Sequence, residues 1–400
     1  MNHIIQASAL SVPLPDCSVQ CTVTSPPYWG LRSYTGSQEL VWGAAQGCGH
    51  EWSSNGTRKQ TPQRDHAADG SFGETRGTEK SRAGMAFEAS LGSTCRLCGA
   101  WRGAFGLEPT VEMYVQHTVE ILREVRRVLR TDGVCFWNVG DSMREKQLCL
   151  IPDRVRIAAQ ADGWWVRSKI IWVKPNPMPE SVRDRPTDAY EDILMLTKSD
   201  RYCWDQHATM EPTNDQKGTR NPRNVWTFPV GSYKGAHFAT FPVDLPLRCI
   251  TAACPAKGCC RFCGTPWRRV MMRVTKADEV VTRESVGWTP GCKRRGHRGI
   301  TKPCLVLDPF AGAGTTGLAA SQLKQDCVLL DISAEYVQKM RGRLKGKQPD
   351  KAGAARVGID SGDLLRHPGS PDDCADRGAG IIPPPQGLPT PAGGYLGASL

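Results

Sequence analysis

An α/β fold built on a mainly parallel sheet is what this sequence predicts, and three observations predict it. Short apolar, β-branched runs alternate with longer stretches of helical periodicity. One such run, Leu305 to Leu307, enters a glycine-rich turn, Asp308-Pro309-Phe310-Ala311-Gly312-Ala313-Gly314, with a helix opening at Thr315. The next run, Cys327 to Leu330, ends on an acid, Asp331. At 400 residues, 40% hydrophobic and 23% charged, the chain suits a soluble globular protein with a sizeable core.

The elements follow from local pattern. Residues 3–10 and 19–24 read as two strands, the second ended by the prolines of Ser25-Pro26-Pro27-Tyr28. Residues 43–106 lose periodicity and fill with Gly, Ser, Thr and charge, which reads as an insertion or flexible loop without its own core. From Pro109 a helix is predicted, with Val111, Val115, Thr118, Leu122, Val125 and Leu129 on one face. Asp132-Gly133 stops it before a strand over Val134 to Val139. Pro152 opens a second helix that ends at Asp162-Gly163. Val166 to Val173 and Ile193 to Thr197 read as strands flanking a Pro- and Arg-rich loop, Lys174 to Pro186. Core segments therefore cover 1–42, 107–202 and 304–349, with insertions at 43–106 and 251–303 and an irregular connecting segment at 203–250. The Gly- and Pro-rich tail, 350–400, is expected to be disordered.

The net charge of +11 is concentrated. Between Thr251 and Cys304 twelve Lys or Arg stand against three Asp or Glu. Such a segment points to a polyanion, with Lys293, Arg294, Arg295 and Arg298 as the expected phosphate contacts. Twelve tryptophans supply rings of the kind that stack on bases. Seventeen cysteines is an odd count, and the opening MNHIIQASAL lacks the basic and apolar blocks of an export signal. Reduced thiols in a cytoplasmic protein are expected, with no apolar run long enough to span a membrane.

Some of those thiols carry metal-ligand spacing. Cys95-Arg-Leu-Cys98-Gly is a CxxC knuckle preceded by Cys48-Gly-His50. Cys260-Arg-Phe-Cys263-Gly is a second, followed by Cys292 and His297. Each set offers four donors suited to structural zinc, which would order its insertion. His117 and His237 are read as packing or surface residues.

Two constellations carry chemistry. In the first, Gly312 and Gly314 let the backbone approach a ligand, and the helix from Thr315 aims its amides at it. Asp331 can accept from both hydroxyls of a ribose. In the second, the prolines leave an acceptor-rich turn. The Ser25 hydroxyl and Pro26 carbonyl can take both hydrogens of a planar amine, and the Tyr28 ring can stack on a flipped base.

Together the SPPY and FAGAG turns resemble those of the amino-methyltransferases of DNA, in which the first turn binds the target amine and the second the cofactor. The catalytic turn comes first, as in the family's β class of prophage or restriction-modification type. The resemblance extends to Leu122 through Ser142, similar to a helix followed by an "NxGDS" strand. It continues through Lys174-Pro175-Asn176 to Asp192 and through Ala236 to Pro242. It implies a Rossmann-like, S-adenosylmethionine-dependent methyltransferase sheet of seven mostly parallel strands with permuted motif order. It also implies catalysis at Ser25, Pro26, Pro27 and Tyr28, and S-adenosylmethionine held by Asp308, Phe310, Gly312, Gly314, Thr315 and Asp331. Double-stranded DNA would be the substrate, read by the 203–250 segment, with a cognate restriction endonuclease as companion. Ala7-Ser8 stands where many members carry Gly-Asp, so the Ser8 hydroxyl would be a weaker acceptor for the adenine.

Within the family SPPY goes mainly with N4 of cytosine and DPPY with N6 of adenine, so N4-cytosine is the expected target and N6-adenine the alternative. A zinc-containing nucleic-acid-binding protein with an inactive core is a reading of another class, disfavoured by the intact Phe310, Gly312, Gly314 and Asp331. A protein-glutamine methyltransferase would carry Asn before Pro-Pro-Tyr, placed after the cofactor motif. Segments 203–236 and 254–303 are both expected on the DNA-facing side, beside the catalytic turn.

Overall fold

A computed structural model describes residues 1–30, 38–60, 87–177, 179–214, 218–230, 241–275, 281–294, 296 and 299–345. Its central sheet holds eight strands: β1 (Asn2–Gln6), β2 (Val19–Thr24), β3 (Leu129–Val139), β4 (Trp165–Val173), β5 (Tyr190–Thr197), β6 (Val225–Thr227), β7 (Leu305–Asp308) and β8 (Asp326–Asp331). Their spatial order is β1-β8-β7-β2-β3-β5-β4-β6. All run parallel except β5, which is antiparallel to both β3 and β4. The strand beyond the expected seven is β6, three residues added to the edge beside β4.

The sheet is covered on both faces. All six residues of β2 are buried, as a central parallel strand requires. Alternate side chains of β3 enter opposite cores. Cys135, Trp137 and Val139 pack with helices α1 (Val111–Val128) and α2 (Ile151–Ala161). Val134 and Phe136 pack with α3 (Asp244–Ala253), α4 (Thr315–Gln322) and α5 (Ala334–Lys345). Thr110 caps α1, its hydroxyl accepting from the Met113 amide at 3.2 Å.

Three expectations are corrected. The first strand ends at Gln6, where its pairing with β8 runs out: the Ala7 amide makes the last bond of that ladder, to the Asp331 carbonyl at 3.1 Å. The long helix ends at Val128, so Asp132-Gly133 is not its stop. Those two residues form an irregularity inside β3, where pairing jumps from Val19–Leu129 to Cys21–Val134. The 43–106 insertion is not structureless. Glu39–Trp42, Trp101–Ala104, Ser93–Cys95 and Trp52–Ser54 form a four-stranded antiparallel sheet in that order, with Trp42 and Trp101 buried.

The basic Cys-rich segment is also displaced from its expected position. It joins the end of α3 to the start of β7, so it lies at the edge where parallel strands begin. Two contacts fix it there. Arg130 Nη1 donates to the Cys263 carbonyl at 2.8 Å, and Gln325 Nε2 to that of Pro255 at 3.4 Å. The beginning of the 203–236 segment joins it, with the Cys203 amide donating to Asp132 O at 2.8 Å. Only from β6 onward does that segment reach the opposite edge. The tail from 350 lies outside the described residues.

Candidate active site

The carboxyl ends of β1, β2, β7 and β8 surround one cavity, the usual ligand position in a parallel sheet. Ser8, Ser25, Pro27, Phe310, Gly312, Thr315 and Asp331 line it, and Leu40, Trp42 and Phe105 of the inserted sheet close it. Gly312 sits at φ +48°, and a Cβ there would meet nothing within 4 Å. Backbone faces open space at that point, which suits close approach of a ligand. Gly314, at φ +76°, does different work. Its Cβ would fall 2.7 Å from Met340 Cγ, so its bareness lets α5 close on the turn.

Asp331 accepts from the Gly312 amide at 3.0 Å and the Ser333 amide at 2.9 Å. These bonds aim the carboxylate along the cavity wall and leave lone pairs for a diol. Burial pushes its pKa up to about 6. Hydroxyl donors favour the ionised carboxylate, so ligand binding should weaken as pH falls through 6. Titration calorimetry with S-adenosylhomocysteine should show affinity falling about tenfold per pH unit below that point. In Asp331→Asn the affinity should be low and flat across the same range.

Asp308 was expected to touch the cofactor, and its position corrects that. It is 1% exposed and accepts from Thr24 Oγ1 at 2.7 Å, Thr316 Oγ1 at 2.5 Å and the Phe310 amide at 3.1 Å. It therefore clamps the ends of β2 and β7 to α4 and sets the spacing of the two turns from beneath. Burial pushes its pKa up to about 6 as well. Arg343 fastens α5 to the same turn, donating to the Ala313 carbonyl at 2.8 Å and to Thr315 Oγ1 at 3.1 Å.

The Ser25-Pro26-Pro27-Tyr28 turn is gripped from several sides. The Tyr114 hydroxyl donates to the Pro27 carbonyl at 2.9 Å. A Cβ on Gly140 would lie 2.8 Å from the Tyr28 ring, so only glycine lets that ring seat. The Gly30 amide donates to the Gly106 carbonyl at 2.8 Å, tying the turn to the inserted sheet. Behind them Glu108, fully buried, accepts from the Gly106 amide at 2.8 Å and contacts His117 Nδ1 at 3.1 Å. His117 is thus the packing residue expected, stacked on Trp42 at 4.2 Å.

A polar chain runs through the turn. The Tyr28 hydroxyl donates to Glu191 Oε2 at 2.5 Å and lies 3.0 Å from Ser25 Oγ. Asn138 Nδ2 donates to Tyr28 Oη and Glu191 Oε2, each at 2.7 Å, and reaches Ser25 Oγ at 3.3 Å. Lys174 Nζ balances Glu191 at 2.5 Å. Asn138, Lys174 and Glu191 lie in segments that carry the family resemblance, but nothing local marks them for this role. A polar Asn138 near the end of an apolar strand is the available signal. Glu191 arrives only because β5 is reversed, which brings its first residues to the carboxyl edge that holds Ser25.

The predicted metal donors fall into two groups. Sulfur or nitrogen atoms of Cys48, His50, Cys95 and Cys98 lie within 4.8 Å of one another, as do the sulfurs of Cys260, Cys263 and Cys292. His297, Arg295 and Arg298 lie outside the described residues, as does His237. Lys293 and Arg294 are exposed and follow Cys292, whose sulfur meets Cys260 and Cys263 on the lobe that Arg130 ties to the start of β3. The expected placement of Lys293 and Arg294 beside the Ser25 turn is therefore not met.

The DNA methylase family model (N6_N4_Mtase) matches residues 19–260 and 301–341. A type II methyltransferase, M.Cfr9I of Citrobacter freundii, is 30% identical over 86% of this chain and 88% of its own. Type II methyltransferase M.SmaI of Serratia marcescens is 28% identical over 81% of this chain and 83% of its own. The solved PvuII DNA methyltransferase (cytosine-N4-specific) shares the fold, with TM-score 0.50, 14% identity and coverage of 91% and 89% of the two chains. The chain belongs to the DNA methylase family, the DNA methyltransferases that modify exocyclic amines. Among the described residues, no helix is long and apolar enough to cross a membrane.

Proposed function

We propose that this chain is a site-specific methyltransferase of double-stranded DNA that uses S-adenosylmethionine to methylate N4 of cytosine. One observation carries the reading: Ser25 and Pro27 line the same cavity as Gly312 and Asp331, so the amine turn and the cofactor turn open onto each other. The open backbone at Gly312 and the Asp331 carboxylate fit the ribose of an adenosyl group. When bound, S-adenosylmethionine supplies an electrophilic methyl group on a sulfonium.

The protein's own contribution is to hold the amine. Tyr28 has one hydroxyl proton and gives it to Glu191, so Ser25 donates to Tyr28 Oη and presents lone pairs to the cavity. An exocyclic amine is a poor nucleophile because its lone pair is delocalised into the ring. Hydrogen bonds from its N–H groups to Ser25 Oγ and the Pro26 carbonyl favour a pyramidal nitrogen and stabilise the charge that develops there. The chain Ser25–Tyr28–Glu191 then offers the departing amine proton a carboxylate. The Tyr28 ring stacks on the flipped base, and Phe310 and Phe105, stacked at 5.8 Å, exclude water.

A neutral hydroxyl at position 25 and the SPPY form support cytosine over adenine. The type II relatives support a modification role beside a cognate restriction endonuclease. The end of β6 at the catalytic edge supports target reading by the chain beyond it. Mass spectrometry of nucleosides from DNA treated with the purified protein tests the reading. N4-methylcytosine is expected. N6-methyladenine would reassign the base, and unmodified DNA would reject the activity.

A further inference from the structure

We propose that Cys48, His50, Cys95 and Cys98 hold one zinc ion, and that this ion fixes the wall closing the active-site cavity. The donor spacing fits such an ion. Cys48 and Cys95 sulfurs are 3.9 Å apart, and Cys98 Sγ lies 3.5 Å from His50 Nδ1. A tetrahedron with Zn–S of ~2.3 Å and Zn–N of ~2.05 Å has edges of about 3.8 Å between sulfurs and about 3.5 Å from sulfur to nitrogen. A disulfide would need sulfurs at ~2.05 Å. Four protein donors leave no open position, so the ion is structural. Binding converts three thiols to thiolates and releases their three protons to solvent.

The backbone supplies a second, independent observation. The Cys95 amide donates to the Ala100 carbonyl at 2.7 Å, and the Gly99 amide returns to the Cys95 carbonyl at 2.9 Å. In the other lobe the Cys260 amide donates to Thr265 O at 2.9 Å and the Gly264 amide to Cys260 O at 2.9 Å. Gly99 and Gly264 have φ of +74° and +70°. Two CxxCG turns, far apart in sequence and in different surroundings, adopt one hairpin that points both sulfurs the same way. Each meets further cysteine: Cys48 with His50 in the first, Cys292 in the second.

The first site has a reason to matter for catalysis. Cys48 and His50 lie on the link between the two edge strands of the inserted sheet, while Cys95 ends one inner strand and Cys98 lies on the turn to the other. One ion therefore staples both layers of connection. Strand Trp101–Ala104 leads from the knuckle directly to Phe105, which stacks on Phe310 of the cofactor turn, and to Gly106, which binds Gly30. Trp42, paired with Trp101, lines the cavity. The sheet's strands are three or four residues long, so few ladder bonds hold them and a staple adds to the packing of Trp42 and Trp101.

Metal analysis of the full chain, purified without chelators, tests this without reference to methylation. Zinc is expected in the wild type, with one equivalent lost in a Cys48→Ser, Cys98→Ser double variant. In Cys98→His, which keeps four donors, zinc should be retained. Chelation should weaken S-adenosylhomocysteine binding at least tenfold, and zinc should restore it. Wild type without zinc, or a double variant with undiminished zinc, would overturn the site. Unchanged affinity in stripped protein would overturn its link to the cavity wall.

Discussion

Ser25→Ala should lower the single-turnover rate of methyl transfer by about 10²- to 10³-fold, the usual loss when a preorganised partner of developing charge is removed. The hydroxyl is the acceptor that the Tyr28–Glu191 chain polarises, at 3.0 Å and 2.5 Å. Alanine leaves the turn intact, because Pro26, Pro27 and the Tyr114 bond to Pro27 remain. S-adenosylhomocysteine affinity should stay within about twofold, since Ser25 binds no part of the ribose, and so the two readouts separate chemistry from binding. Rapid-quench kinetics with labelled cofactor gives the rate. A variant with the parent's rate would remove Ser25 from the reaction.

Gly312→Val should abolish measurable cofactor binding, a loss of at least about 100-fold. Left-handed backbone costs a residue with a Cβ about 1–2 kcal/mol, and more for a branched one. The larger effect is steric. The open volume in front of Gly312 is where the ligand backbone contact would form, and two methyl groups would occupy it. The bond from its amide to Asp331 would also be strained, disturbing the ribose acceptor. Circular dichroism should show a folded variant, because the added atoms project into the cavity rather than the core. Calorimetry showing parental affinity in folded protein would place the cofactor elsewhere.

The legible parts of this site were those written in local chemistry. Prolines ending β2, glycines after β7 and an acid ending β8 each constrain backbone or charge at one position. Their neighbours in sequence report them. Asp308 shows the limit of such reading, because its place in the motif does not say which way its carboxylate points. Only the burial of Thr24 and Thr316 beside it does. Glu191 was hidden by strand direction, a property of the assembled sheet. The inserted sheet was hidden by strands too short to show alternation, among glycines and serines that read as loop.

The position of the basic lobe was recoverable from order alone. In a parallel α/β unit, strand-to-helix links lie at the carboxyl edge and helix-to-strand links at the other. Segment 254–303 joins α3 to β7, so its charge belongs away from Ser25 whatever its composition suggests. Composition speaks of partners, and connectivity speaks of place. The same rule puts the links after β1, β2, β7 and β8 together at the active edge.

Placement of the methyl donor and the target amine at one edge of the sheet is tested most directly by a crystal structure of the protein with S-adenosylhomocysteine and a duplex carrying its methylated sequence. A flipped cytosine is expected on Tyr28, its amine within hydrogen-bond distance of Ser25 Oγ and the Pro26 carbonyl. The ribose hydroxyls should meet Asp331. A duplex seated only on the 254–303 lobe, with its bases stacked and the Ser25 cavity empty, would contradict it.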